Sequence, residues 1–151
     1  MRQNIGGDNF SESVTETPNI QSVFNATAND SDKTFVVPNN ETWKINHANV
    51  ILTTTATVGN RALHMDVYDV DGNEIASIAS GAVQAASLTV TYSFLQGIFR
   101  ETATVNGNLQ IPIPQDLYLT GGMSLRFYDA AAISAASDDM TVAFQYKKMV
   151  V

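Results

Sequence analysis

The stretch LHMDVYDVDGNEIASIA, residues 63–79, decides the fold class. Apolar and polar side chains alternate along its first half, and a period of two predicts a β-strand with one buried face and one outer face. Asp71-Gly72 then supplies one of the strongest β-hairpin turn signals, and residues 74–79 form the return strand. On this prediction Leu63, Met65 and Val67 face a core, while His64, Asp66 and Tyr68 face outward.

Comparable segments lie on both sides of this hairpin. The clearest alternation is at residues 88–94, and Asn106-Gly107 predicts a second hairpin between residues 99–105 and 109–113. The chain contains about eight to ten such short segments and no amphipathic helical pattern. We therefore predict an all-β fold, an antiparallel two-sheet β-sandwich of jelly-roll type. The remaining predicted strands are residues 20–28, 34–37, 43–45, 48–58, 117–119, 124–128 and 141–147.

Two segments depart from simple alternation. Residues 48–58 mix apolar residues with threonines, which predicts a strand covered on both faces or one at an interface. Pro112 and Pro114 end their strand or place it at a sheet edge, because proline cannot donate to the ladder. In the regular segments, the residues predicted to face inward are Leu88, Val90, Tyr92, Phe94, Leu125, Phe127, Val142, Phe144 and Tyr146.

A chain of 151 residues has room for one domain. Residues 1–19 are polar, include Gly6, Gly7 and Pro18, and have too few apolar side chains to bury a face of their own. We therefore divide the chain into an extended N-terminal arm, residues 1–19, and a β-sandwich domain, residues 20–151.

The charge and composition exclude several classes of function. The net charge is −7 and the eight lysines and arginines are scattered, so direct binding of nucleic acid is not expected. There is no cysteine, which excludes disulfides and thiolate chemistry. No run has the apolar length of a membrane span. Residues 1–8 lack the apolar segment of a secretory signal, so we expect the chain to remain in the cytoplasm where it is made.

No catalytic or cofactor site is predicted. His64 and Asp66 could act as a base and its orienting group, but no nucleophile accompanies them, and we interpret both as surface residues. The segment Gly122-Met123-Ser124-Leu125-Arg126 begins like a nucleophile elbow and lacks its second glycine. Phosphate-binding glycine loops are absent from the sequence. We therefore predict that the protein is not an enzyme and has no cofactor.

Acidic residues suggest two places for calcium, and we predict metal at neither. Around the hairpin, the segment beginning at Val67 can be aligned with a calcium loop, but Val67 and Ile78 occupy positions that require a carboxylate. We interpret these acids as solvated turn residues, with a calcium loop as the alternative. The two candidate sets are Asp66, Asp69, Asp71 and Glu74, and Asp129, Asp138 and Asp139.

The aromatic residues allow a carbohydrate-binding surface as an alternative hypothesis. On the predicted faces, Tyr68 and Tyr128 lie outside the core, and Trp43 is the third candidate for exposure. Exposure of all three on one concave face would indicate a carbohydrate-binding module, and their burial would argue against it. The alternative for Trp43 is an anchor in the core or at a subunit interface.

Residues from about Trp43 to Tyr146 resemble small structural proteins of tailed bacteriophages. The features are Trp43 before a Thr-rich strand, the turn Asp71-Gly72-Asn73, and several short motifs. The resemblance implies a jelly-roll capsid decoration (cement) protein. Such a protein would be present as homo-oligomers, with a trimer favoured, on the capsid lattice, and its arms would tie neighbouring capsomers together. The motifs are Val58-Gly59-Asn60-Arg61, Ile111-Pro112-Ile113-Pro114, Leu117-Tyr118-Leu119 and Ser137-Asp138-Asp139.

We therefore expect a non-enzymatic virion structural protein, assembled in the host cytoplasm, whose partner is the major capsid protein or another virion protein. A neck, tail or fibre component is a related possibility, and a carbohydrate-binding module is the alternative from another class. A lattice-binding protein gains affinity through many copies and needs no active site. The interface residues predicted are Phe10, Trp43, Ile51, Tyr68 and Tyr128.

Overall fold

A computed structural model describes residues 19–29, 31–131 and 137–150 of the chain. Within these ranges the chain forms strands and loops and no α-helix, hence no helix that could cross a membrane. The strands are β1 (Asn19–Asn25), β2 (Asp32–Val36), β3 (Glu41–Thr53), β4 (Leu63–Tyr68), β5 (Glu74–Ala79), β6 (Thr89–Gln96), β7 (Asn108–Ile113), β8 (Tyr118–Thr120), β9 (Ser124–Asp129) and β10 (Asp139–Val150).

The strands form two sheets. The six-stranded sheet has the order β1-β10-β3-β6-β7, with β8 also paired to β3, and the four-stranded sheet has the order β2-β9-β4-β5. The antiparallel pairs nest around the β4–β5 turn: β3 pairs with β6, β2 with β9, and β1 with β10. A long hairpin rolled into two sheets in this way is a jelly roll. The predicted all-β sandwich is confirmed.

The core lies between the sheets and is formed by the inward-facing residue of each alternating pair. Phe127 of the four-stranded sheet packs edge-on against Phe94 of the six-stranded sheet, with ring centroids 5.8 Å apart, and Phe35 packs against Phe144 at 4.9 Å. Edge-to-face contacts of this kind add to the free energy gained from burying the rings. The inward assignments are correct except at Leu88, which is exposed in the turn before β6.

A β-bulge interrupts the long central strand, β3. His47 pairs with Gln145 and Ile45 with Tyr146, so Asn46 is an extra residue that has no partner on β10. The extra residue shifts the phase of the alternation, and Ile45 and Ala48 both face the core. Beyond the bulge β3 alternates normally and ends at Thr53. The prediction of one strand over residues 48–58 covered on both faces is therefore wrong.

The second predicted hairpin forms only at its turn. Val105 and Asn108 exchange backbone hydrogen bonds of 2.8 and 3.0 Å across Asn106-Gly107. Residues 99–104 form no strand, and β7 instead pairs in parallel with β6. Beside β6, the alternate residues of β7 enter the core, whereas Phe99 and Val105 stay exposed. Burial of β7 therefore outweighs the local pairing, and the six-stranded sheet is mixed.

The first hairpin forms as predicted, and a side chain closes its tip. Asp69 Oδ1 accepts hydrogen bonds from the backbone N–H groups of Asp71 and Asn73, at 2.9 and 2.8 Å. Asn73 Nδ2 donates to Asp69 Oδ2 at 2.9 Å, and these bonds to Asn73 lower the pKa of Asp69. The Asp69 carboxylate thus serves as a structural acceptor in the turn.

Candidate interaction surface

The outer face of the six-stranded sheet is the most distinctive surface of the described chain. Its side chains alternate with the buried ones, and cross-strand pairs such as Ile51–Thr141 and Ile51–Thr91 lie side by side on it. We call this surface the uncharged face, because none of its members is a lysine, arginine or acid. Its members are Ile20, Ser22, Phe24, His47, Asn49, Ile51, Thr53, Thr89, Thr91, Ser93, Leu95, Asn108, Gln110, Thr141, Ala143 and Gln145.

Charged residues lie at the two ends of this sheet, with Glu101 beside its β7 edge, and leave its middle free of them. Lys44 and Lys147 are a cross-strand pair at one end, and Lys44 Nζ forms an ion pair with Asp116 at 2.8 Å. Asp139 lies opposite Thr53 at the other end. In a chain with a net charge of −7, the middle of this face is therefore a surface that another molecule can cover without burying an ion.

Apolar side chains are exposed on the uncharged face. Phe24 is 70% exposed, Ile20 54% and Ile51 43%. Beside Phe24 lies a shallow depression of about 160 Å³, whose lining includes Ser22, His47 and Gln145. Exposed apolar side chains grouped on one face are typical of a protein–protein contact surface.

The outer face of the four-stranded sheet is quite different, because its polar side chains bind one another. Asp66 was predicted to be a surface residue, and this is wrong: its side chain faces outward but is completely covered. Ser77 Oγ donates to Asp66 Oδ1 at 2.6 Å, and the Tyr68 hydroxyl donates to Oδ2 at 3.5 Å. Covering a carboxylate is costly unless donors surround it, and this set of neighbours supplies them.

The second half of this network joins β9 to β2. Arg126 forms a two-pronged ion pair with Asp32, with its closest distance 2.6 Å, and this partner raises the pKa of Arg126. The guanidinium also lies over the Tyr128 ring at 4.3 Å. Burial and a hydrogen bond with Asp66 raise the pKa of Tyr128 to about 12. Both tyrosines are therefore occupied by contacts within the sheet.

The geometry does not make His64 and Asp66 a catalytic relay. A relay needs one ring nitrogen on the acid and the other on the nucleophile. Here His64 Nδ1 lies 3.2 Å from Ser77 Oγ and 3.8 Å from Asp66 Oδ1, so a single nitrogen faces both. Ser77 meanwhile donates its proton to Asp66. The three side chains therefore stabilise each other and leave the hydroxyl without a base.

His64 also borders a larger cleft, of about 650 Å³, between residues 79–83 and the loop at residues 102–104. Apart from His64, the residues that line it are alanine, glycine, serine, threonine and valine. Such a lining offers shape and few directional groups, so it provides no convergent set of acids for hydrolysis.

The acids considered for calcium are separated by their structural roles. Asp69 closes the hairpin tip, and Asp66 lies within the network on the outer face. Asp138 binds Arg61, while Asp129 Oδ1 accepts from the backbone N–H groups of Ala62 and Ala131. Among the residues that the structure describes, no group of three or more histidines and acids could hold a metal ion.

The predicted interface residues lie in different places. Trp43 is 6% exposed and packs in the core, with its ring 4.3 Å from that of Tyr146, and its Nε1 donates to Glu41 at 2.7 Å. Tyr68 and Tyr128 are half-buried on the opposite sheet, and only Ile51 of these four lies on the uncharged face. No shared platform of the three aromatic rings forms. Phe10 lies outside the described residues.

The sequence analysis missed Ile20 and Phe24, which the structure places on the uncharged face. The signal was present, since Ile20, Ser22 and Phe24 occupy alternate positions of a segment with no charged residue. Residues 20–28 were predicted to form a strand, and neither face of that strand was assigned to an interface.

Comparisons with known proteins identify no family for this chain. No protein-family model matches the chain, and no curated protein matches it. Among solved structures, a chain from the structure of infectious bursal disease virus, Gx strain, is similar over 99% of this chain and 45% of its own length, with 11% identity and a TM-score of 0.34. The present chain thus spans less than half of the chain it matches.

Proposed function

We propose that this protein is a non-enzymatic structural protein of a bacteriophage virion, a capsid decoration protein that binds and stabilises the capsid lattice. The observation that carries the proposal is the uncharged face in an acidic chain. The centres of protein interfaces are depleted in charged residues and enriched in aromatic ones, and this face has Phe24 and Ile51 exposed and no ion in its middle.

The contrast between the two outer faces supports the choice of surface. On the four-stranded sheet, the polar groups already satisfy one another, as in the Arg126–Asp32 pair and the bonds to Asp66. A partner there would have to replace bonds that exist. On the six-stranded sheet the polar side chains are neutral hydroxyls and amides, some of them bonded to each other as in the Thr53–Thr89 pair, and the cost of removing water from them is smaller than for ions.

Two of the motifs behind the resemblance lie together in the structure. Val58-Gly59-Asn60-Arg61 and Ser137-Asp138-Asp139 are far apart in the sequence, and Arg61 and Asp138 form a buried ion pair. These two motifs thus contact each other in this fold. On this proposal the partner is the major capsid protein, the location is the virion, and many weak contacts add up across a repeating lattice.

The test is co-sedimentation of the purified chain with empty capsid shells of a tailed bacteriophage that carries it. We expect saturable binding at a fixed ratio of chain to capsid subunit, together with a rise in the temperature at which the shells fall apart. Bovine serum albumin, an acidic protein, is the control for nonspecific association. If the chain stays in the supernatant and leaves the shells' thermal stability unchanged, the proposal is wrong.

A further inference from the structure

We propose that the free edge of β1 pairs, antiparallel and about a two-fold axis, with β1 of a second copy of this chain. This inference goes beyond the lattice-binding function and does not depend on it. It starts from a general problem of open sheets: an edge strand presents unpaired N–H and C=O groups, and proteins normally protect such edges with charge, proline, bulges or covering loops.

The other edges of the sandwich carry such protection. On β7, Pro112 removes a donor, and Gln110 is covered by Glu101: the Gln110 N–H donates to Glu101 Oε2 at 2.7 Å, and the Glu101 N–H donates to the Gln110 carbonyl at 3.1 Å. In the four-stranded sheet, the edge strand β2 contains Asp32 and Lys33, and β5 begins at Glu74.

The edge strand β1 has none of these features. Its sequence, NIQSVFN, contains no charged residue, proline or glycine. It pairs with β10 through all seven residues without a register shift, so it is regular enough to serve as a template for another strand. Among the described residues, no strand pairs with its other edge.

The pattern of β1 is complementary to itself. In an antiparallel pair centred on Ser22, Phe24 lies opposite Ile20 of the partner subunit, and the two-fold axis repeats the contact. Phe24 and Ile20 are both on the uncharged face, 70% and 54% exposed. An aromatic side chain directly opposite a β-branched one stabilises a strand pair, so the pairing places the two most exposed apolar residues of this strand side by side on the uncharged face.

Electrostatics favour a second copy at this edge. Two chains of charge −7 repel each other. A two-fold contact also brings each charged residue near the axis close to the same residue, of the same charge, in the partner subunit. Because β1 has no charged residue, this repulsion is absent at the contact. At its centre, Ser22 lies opposite Ser22 of the partner subunit. The pairing joins two six-stranded sheets, so their uncharged faces form one continuous surface. A two-fold pair is a dimer, unlike the trimer that the resemblance implies.

The test combines solution mass with hydrogen exchange on the full chain over a range of concentrations. We expect a dimer by light scattering, and exchange of the outward-pointing β1 amides that slows as the dimer forms. Ser22→Lys places two like charges opposite each other at the seam, and should raise the dimer dissociation constant roughly tenfold or more. Gln110→Lys, on the opposite edge strand of the same face, is the matched control and should leave it unchanged.

Three outcomes would overturn the inference. One is a monomer with fast-exchanging β1 amides, and another is a monomer whose β1 amides are protected at every concentration, because the chain's own residues then cover the edge. The third is an oligomer that Ser22→Lys and Gln110→Lys affect equally, including a trimer. Far-UV circular dichroism confirms that both variants fold. A monomer that coats shells refutes only this inference, and a β1 dimer indifferent to shells refutes only the proposed function.

Discussion

Arg61 and Asp138, 77 residues apart in the sequence, form a two-pronged ion pair from which solvent is completely excluded. Arg61 Nε and Nη2 donate to the two oxygens of Asp138 at 2.7 and 3.1 Å. The remaining donors of the guanidinium reach Thr55 Oγ1 and the carbonyls of Thr57 and Gly59. All five N–H groups therefore have acceptors, and the pair ties the loop after β3 to the start of β10.

Breaking this pair should destabilise the fold strongly. We expect Arg61→Met to lower the free energy of unfolding by about 3–5 kcal/mol, because it leaves the Asp138 carboxylate buried without its counter-ion. The double variant Arg61→Met/Asp138→Leu should recover part of that loss, since it removes both charges. Urea denaturation measures each value.

The surface pair provides the control for this experiment. Arg126→Met removes the partner of Asp32 on the outer face, and exposed ion pairs contribute only about 0–1 kcal/mol. If Arg61→Met and Arg126→Met cost the same, the buried pair does not have the structural role assigned to it.

Asp129 and Asp138 should respond to pH in opposite directions. Burial raises the pKa of Asp138, but the bonds from Arg61 and Thr55 outweigh it and the pKa lies below its usual 3.8. Its contribution to stability is therefore present above pH 3.8 and is lost as pH falls through the lower folded value. Burial raises the pKa of Asp129, so its contribution is present at acid pH and lost as pH rises through the folded value.

Asp129→Asn tests this reasoning. Asparagine keeps the Oδ1 acceptor for Ala62 and Ala131 and replaces Oδ2, a buried oxygen with no partner among the described residues. We expect the variant to gain stability relative to wild type as pH rises from about 4 to about 8. Asp138→Asn should instead be less stable than wild type by a nearly constant amount over this range, with a difference that shrinks only as pH falls below 3.8. Urea unfolding at several pH values measures the stability of each variant relative to wild type. If this difference changes with pH in the same way for both variants, the pKa directions assigned to Asp129 and Asp138 are wrong.

Replacing Gly121 or Gly72 by alanine should destabilise the fold, for a different reason at each position. A Cβ on Gly121 would lie 2.5 Å from the Asn39 carbonyl oxygen, a contact with backbone that cannot be relieved by turning a side chain. We expect Gly121→Ala to cost about 1–3 kcal/mol. Gly72 has open space around it but a φ of +83°, so Gly72→Ala should cost about 1 kcal/mol through backbone strain.

Asparagine separates these two causes, because it tolerates positive φ better than alanine. Gly72→Asn should therefore be more stable than Gly72→Ala, whereas Gly121→Asn should be no better than Gly121→Ala. Melting temperatures from thermal denaturation measure the four variants. Rescue at Gly121 would show that steric contact with Asn39 is not the constraint there.

Local patterns predicted those parts of the fold that local interactions determine. The Asp71-Gly72 hairpin formed because its turn chemistry and the alternation on both sides agree. The bulge at Asn46 in β3 depends on pairing with a strand about a hundred residues away. The parallel pairing of β7 and the Arg61–Asp138 pair likewise depend on the assembled sandwich, so no short segment reveals them.

The interaction surface was predictable only in part. Ile51 was proposed as an interface residue because it lies in an apolar run, and it does lie exposed on the uncharged face. The tyrosines were proposed from their outward direction alone. Direction along a strand follows from a period of two, but cover by neighbouring side chains does not, and Tyr68 and Tyr128 both bind groups on their own sheet.

The most direct test of the account compares shell binding by two variants that place the same charge on opposite outer faces. Ile51→Glu puts a carboxylate in the middle of the uncharged face, and Ile75→Glu puts one on the four-stranded sheet, where Ile75 is similarly exposed. We predict that Ile51→Glu weakens co-sedimentation with capsid shells by about tenfold or more, because the charge would be buried without a partner, and that Ile75→Glu binds like wild type. Equal binding by the two variants, or a loss confined to Ile75→Glu, would contradict the claim that the uncharged face is the docking surface.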